Sequence, residues 1–304
     1  MSFTVKVKEE VIGNKLSEPA KVSFISGFIR NNYQIIDNNI VFSNENFAVI
    51  DYLKQLFDSY DEIKYKELVL DNNNFSKNKL IGLEIIKGKE FLDETFCLFK
   101  EVIASYLVSS DDEVKGYLKG AFVSSGSIND PKTSRYHLEF FVDRPQEAVF
   151  IQKLLNKYML NAKLLDRDRG FMLYVKEADK ISDFLKILGC NKAVLYYEDV
   201  RVYRDKKNKI NRINNCEQAN MDKVIKTAFM QLDNIEVLEK NDATVLLDDK
   251  LMEALKYRKK YPEVSLKELS EIISLETGKK ITKSGLNHRF RKIKELASHF
   301  EKKD

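Results

Sequence analysis

One pattern constrains this chain more than any other. The order helix, strand, strand, helix, strand, strand, helix is met once and then met again, over about 190 residues, which a tandem repeat explains better than two unrelated folds. In the first pass, Ala20–Asn32 reads as a helix. Tyr33–Asp37 and Ile40–Ser43 read as short strands joined at Asn38-Asn39, where asparagine tolerates positive φ. Glu45–Tyr60 places Phe47, Ile50, Leu53, Leu56 and Phe57 at helical spacing. Ile63–Leu70 and Leu80–Ile86 read as strands around a polar turn, Asp71–Asn78, and a helix over Phe91–Leu107 closes the pass.

The second pass opens with a helix at Glu113–Ser125, a turn at Asn129-Asp130-Pro131 and a strand at Tyr136–Val142. Pro145 suits the start of a helix, where its missing N–H is not needed. That helix, through Tyr158, carries Ala148–Leu155 as an echo of Phe47–Lys54. Strands Ala162–Arg167 and Phe171–Val175 follow, then a helix Ala178–Leu188 stopped by Gly189.

The expected fold class is therefore α+β: a pseudo-twofold body of two αββαββα repeats, followed by an all-α module. The body spans 1–215, with repeats of about 1–112 and 113–215, a linker helix and linker fill 216–247, and the module takes 248–304. Just before the linker, Arg201, Arg204, Lys206, Lys207, Lys209 and Arg212 form a basic cluster.

In the module, Asp249–Tyr261 reads as a helix ended by Pro262. Ser265-Leu266-Lys267-Glu268 has the form of a capping box and starts a second helix, broken at Gly278. Thr282 caps a third, Lys283–Phe300, with Leu286, Phe290, Ile293 and Leu296 facing inward. Its outer face carries Lys283, Ser284, Asn287, His288, Arg289, Arg291, Lys292 and Lys294, with no acid before Glu295. Arginine pairs with guanine and asparagine with adenine, while lysine and serine hold phosphates. This is the side-chain set of a recognition helix, whose first residues reach base edges. Charge agrees: residues 249–304 hold 15 Lys/Arg against 9 Asp/Glu, a net of +6, which leaves −2 for residues 1–248. The expected partner is double-stranded DNA. Arg135, Arg144, Arg167, Arg169, Arg201 and Arg204 are candidate phosphate contacts in the body.

The chemistry of other classes is missing. Cys97, Cys190 and Cys216 are isolated, as are His137, His288 and His299, so neither a zinc site nor a disulfide framework is expected, and no cofactor or metal. Gly278-Lys279-Lys280 lacks the rest of a P-loop. No run approaches the ~18 apolar residues of a membrane span, and the N-terminus does not read as a signal peptide. The expected place is the cytoplasm, on the nucleoid.

Ile25-Ser26-Gly27-Phe28-Ile29-Arg30-Asn31-Asn32-Tyr33 and Leu118-Lys119-Gly120-Ala121-Phe122-Val123-Ser124-Ser125-Gly126 resemble degraded LAGLIDADG helices of homing endonucleases, each at the head of a repeat. The small pairs Ser26-Gly27 and Gly120-Ala121 suit two helices packed with close backbones. More specifically, the chain resembles the WhiA family of bacterial sporulation and cell-division regulators. The resemblance runs through Gly120–Pro131, Tyr197–Arg201, Asn211–Glu217 and Ile281–Arg289. It implies a LAGLIDADG-like domain joined to a helix-turn-helix similar to sigma-factor region four, and a role in division and chromosome segregation.

In the endonucleases the second Asp of each motif binds the catalytic metal. Asn32 and Ser125 hold those positions here and supply no negative charge. Asp37 and Asp130 lie five residues further on, in turns. The leading expectation is thus a regulator that performs no chemistry on DNA. A second reading is an adaptor whose body binds a protein such as an RNA polymerase sigma factor. A third is a working nuclease.

Overall fold

The computed structural model describes residues 1–70, 80–133 and 135–301. The chain divides into two compact units, Met1–Arg204 and Asp205–Asp304.

The first unit begins with a helix the apolar pattern did not announce, α1 (Phe3–Ile12). The Ser2 hydroxyl accepts from the Val5 N–H, and Phe3, Val7 and Val11 are buried. The first repeat follows: α2 (Glu18–Ile29), β1 (Tyr33–Ile36), β2 (Asn39–Asn44), α3 (Phe47–Phe57), β3 (Lys64–Leu70), β4 (Leu80–Lys87) and α4 (Lys89–Phe96). The second runs α5 (Asp111–Ser125), β5 (Gly126–Ile128), β6 (Leu138–Val142), α6 (Pro145–Lys157), β7 (Lys163–Arg167), β8 (Gly170–Val175) and α7 (Ala178–Ile187). Both sheets are antiparallel with the same strand order, β1-β2-β4-β3 and β5-β6-β8-β7. The α+β body of two αββαββα repeats is as expected. A 50-residue helix, α8 (Asn191–Lys240), follows, and the boundary between the units falls within it. Its first N–H groups, at Lys192 and Ala193, are capped by the Glu10 carboxylate at 2.8 and 3.0 Å.

Three local readings change. The β1–β2 loop is Asp37-Asn38, one residue earlier than expected, since Ile36 pairs with Asn39. Both loop residues have positive φ, 48° and 66°, as a two-residue hairpin turn of this hand requires. The helix expected to reach Leu107 stops at Phe96, because Cys97 turns left-handed and Asp93 takes the Phe99 N–H at 2.7 Å. A short 3₁₀ turn, Ser105–Val108, replaces its end. Strand β5 has three residues, too few to show a period. The polar turn expected at 71–78 lies outside the described residues.

At the centre of the unit, α2 and α5 pack backbone to backbone. A Cβ on Gly27 would fall well inside 3.0 Å of the Tyr117 carbonyl oxygen, and one on Gly120 equally close to that of Phe24. Phe42, Leu83 and Ile85 from one sheet, and Phe140, Leu173 and Val175 from the other, join these helices in one core.

The second unit holds the rest of α8, α9 (Asp249–Lys260), α10 (Leu266–Thr277) and α11 (Lys283–Glu301). The capping box at Ser265 and Glu268 is formed in both directions, and Gly278 ends α10 at φ 70°. The Ser274 hydroxyl ties the loop down by accepting from the Ile281 N–H at 2.9 Å. Thr282 Oγ1 accepts from the Gly285 N–H at the start of α11. The core is Leu251, Leu255, Leu269, Ile273, Leu286, Phe290 and Ile293, and the end of α8 adds Ile235 and Leu238. Packing of this kind holds short helices that propensity alone would not.

Candidate nucleic-acid interface

Helix α11 divides its residues by face. Leu286, Phe290, Ile293 and Ala297 are buried, three or four positions apart. Lys283, Ser284, Asn287, His288, Arg291, Lys292 and Lys294 are exposed. None of these seven is tied to another side chain among the described residues. Their donors are therefore open to an incoming ligand. Arg289 is different. It points toward α9, where its Nη1 donates to Glu253 Oε2 at 2.7 Å and to the Lys250 carbonyl at 3.2 Å.

The six arginines named in the body divide in the same way. Arg135, Arg167 and Arg169 are exposed. Arg204 lies over the Tyr136 ring and donates to the Pro131 and Thr133 carbonyls, both at 2.6 Å. Arg144 donates to the Arg30 and Leu98 carbonyls and lies over Tyr33. Arg201 pairs with Glu198 at 2.9 Å. Arg144 and Arg204 thus hold loops in place, while Arg201 is engaged within α8. The outward face of the second sheet is mixed, with Lys163 and Arg167 of β7 sharing it with apolar side chains. Strand register sets Glu139, Tyr174 and Lys163 in one row across β6, β8 and β7, and Phe141, Met172 and Leu165 in the next. Phe141 and Leu165 are exposed on it.

At the feet of α2 and α5, Asn32 and Ser125 are in structural use. The Asn32 side chain donates to the Ser43 carbonyl at 2.9 Å and accepts from the Ser43 N–H at 3.0 Å, so it pairs with β2 as a backbone strand would. Ser125 Oγ donates back to the Ala121 carbonyl at 3.0 Å. Asp37 sits in the hairpin turn, and the Asp130 carboxylate accepts from the Tyr196 hydroxyl and the Lys132 N–H. Among the described residues, no group of three His, Cys, Asp or Glu stands close enough to hold a metal ion. Nor is any helix among them long and apolar enough to cross a membrane.

Beside this foot lies a cluster the sequence reading passed over. Arg30, next to Asn31-Asn32, pairs with Glu147 of α6 at 2.8 Å, both side chains 1% exposed. The Tyr117 hydroxyl donates to the same carboxylate, and Arg30 also donates to the Cys97 and Lys100 carbonyls. Burial alone would lower the Arg30 pKa, but Glu147 beside it carries the net shift upward. Burial raises the Tyr117 hydroxyl far above its usual range, and Glu147 adds to that. A charged residue directly after the apolar run Phe28-Ile29 was the available signal.

Two glycine-packed helices over matched antiparallel sheets, followed by a helical unit with a basic outer helix, define a LAGLIDADG-like body joined to a helix-turn-helix region. Family profiles agree: residues 114–207 match the WhiA LAGLIDADG-like domain and residues 210–297 the WhiA C-terminal HTH domain. The chain belongs to the WhiA family. It is 37% identical to the probable cell division protein WhiA of Oceanobacillus iheyensis, over 99% of this chain and 98% of that one. The Staphylococcus aureus protein of the same name is 38% identical, over 98% and 96%. The fold is shared with the crystal structure of full-length DUF199/WhiA from Thermatoga maritima, at a TM-score of 0.57 and 23% identity over 99% of this chain and 98% of that one.

Proposed function

We propose that this chain is a non-enzymatic, sequence-specific regulator of transcription that reads duplex DNA with α11. The observation that carries the reading is the outer face of that helix, where seven polar or basic side chains are exposed and unengaged at the positions a recognition helix uses. Asn287 and Arg291 are the base readers, and Lys283, Ser284, His288, Lys292 and Lys294 hold the backbone, with Arg289 bracing the helix from behind. The family's helix-turn-helix profile supports this, and the relatives' name supports a role in cell division. On this reading the protein works on the nucleoid, in the cytoplasm.

The absence of catalysis rests on Asn32 and Ser125, whose side chains serve the backbone and carry no charge for a hard cation. A second reading concerns the body alone. The exposed Phe141 and Leu165 on its second sheet favour contact with a protein, such as a sigma factor, over contact with phosphates. Arg135, Arg167 and Arg169 remain as its phosphate candidates.

Selection of bound duplexes from a random pool by the full chain tests the proposal. It should enrich one short sequence. Asn287→Ala and Arg291→Ala should each relax one or two positions of it, at about 1–3 kcal/mol per position. A pool that emerges without consensus would remove sequence-specific readout.

A further inference from the structure

We infer that the second unit carries a dedicated pocket for a backbone phosphate of duplex DNA, between α8, the N-terminus of α10 and the start of α11. This deepens, and rests on, the reading of the chain as a duplex binder. The cleft has a volume of about 210 Å³ and is lined by Lys223 and Thr227 of α8, Arg258 of α9, Ser265 and Lys267 at the head of α10, and Lys283 at the head of α11. Four cationic groups line it and no carboxylate does.

Two independent features point to an anion. The first is the helix end. The capping box satisfies the N–H groups of Ser265 and Glu268, which leaves those of Leu266 and Lys267 without an acceptor inside the helix. Donors of this kind, at the positive end of a helix dipole, bind phosphate. Two acids stand nearby without closing the cleft. Glu268 is turned to the Ser265 N–H, and Glu271 lies 4.0 Å from the exposed Lys267 amine.

The second is Arg258, whose residue is 1% exposed. Its Nη1 donates to the Tyr261 and Val264 carbonyls, which fixes the loop that leads into α10. Its Nε has no partner, and no carboxylate pairs with the guanidinium among the described residues. Burial lowers its pKa, as expected for a cation left without a counter-charge. A phosphate seated in the cleft supplies that charge. The pocket adjoins Lys283, so a strand held there runs past the first turn of α11 and sets that helix's register on the groove.

Binding of the full chain to a mixed-sequence duplex of about 30 base pairs, followed across salt, tests the pocket. Lys223→Gln and Lys267→Gln should each reduce the slope of log affinity against log salt by about one, and together by about two. Lys259→Gln, paired with Glu239 outside the cleft, should leave the slope unchanged. Circular dichroism confirms that each variant is folded. If both cleft variants keep the full slope while Lys292→Gln lowers it, the pocket is wrong and the recognition-helix reading stands. If the unaltered chain shows no salt-dependent binding, both fall. Inorganic phosphate at constant ionic strength is the remaining arm. Stabilisation by phosphate that Lys223→Gln abolishes, with no effect of that change on the DNA slope, would mark a free-anion site and overturn the proposal.

Discussion

Arg30 of the first repeat and Glu147 of the second form a fully buried ion pair at 2.8 Å, at the end of the glycine-packed helices α2 and α5. Removing one partner leaves the other charge buried alone. Glu147→Ala should therefore cost about 3–5 kcal/mol, whereas the double change Arg30→Met with Glu147→Leu should cost much less. Urea denaturation measures both. A single change that costs under about 1 kcal/mol would mean the pair is solvated.

Gly27 is held by sterics, because a Cβ there meets the backbone of Tyr117 and no flexible side chain can yield. Gly27→Val should destabilise by at least about 3 kcal/mol, at or above the upper end of ordinary overpacking. Gly285 in α11 is the contrast, since its nearest neighbour would be Thr282 Oγ1 at 3.4 Å. Gly285→Ala should be neutral or stabilise by up to about 1 kcal/mol. Thermal unfolding distinguishes the two.

How far the sequence could be read follows from range. The repeat, three of its four strand pairs and the capping box at Ser265 are written in short-range spacing, and the structure keeps them. The outer and inner faces of α11 follow from its period for the same reason. What failed to show was decided by contacts distant in sequence. Helix α1 is secured by burial of Phe3, Val7 and Val11 in the core. The Arg30–Glu147 pair joins residues 117 apart. The engagement of Arg144 and Arg204 depends on carbonyls of other loops. Arg289 looked like its neighbours because nothing local reveals Glu253 across from it.

Arg289 and Arg291 lie two residues apart and should behave oppositely. Arg289→Ala removes a half-buried pair with Glu253 and should lower stability by about 1–2 kcal/mol. Arg291→Ala should leave stability unchanged and weaken DNA binding. Unfolding and DNA titrations of both variants check this, and equal losses in both assays would argue against the division of labour.

Lys8 gives the body a pH dependence. Burial lowers its pKa to about 8, and its Nζ lies 5.9 Å from the centre of the Phe122 ring. In the unfolded chain the amine titrates near 10.5. Between about 8 and 10.5 the unfolded state therefore holds more protons, so this residue's contribution to stability rises with pH. At pH 7 the charged amine is a cost. Lys8→Met should stabilise by about 1–3 kcal/mol there, and the gain should fade as pH approaches 10.5. Denaturation at pH 7 and pH 10 measures it, and a gain that does not change with pH would locate its cause in packing instead.

The central claim is that α11 holds DNA and that the body does not cut it. The most direct test compares the full chain with its Asn287→Ala, Arg291→Ala, Lys292→Ala triple variant on labelled duplex, with Mg²⁺ present, by binding across salt and by the integrity of the DNA afterwards. The account predicts tight binding that weakens linearly in log salt, a loss of at least a hundredfold in the triple variant, and intact DNA throughout. Equal binding by the two proteins would place the interface elsewhere, and Mg²⁺-dependent cleavage would make the chain an enzyme.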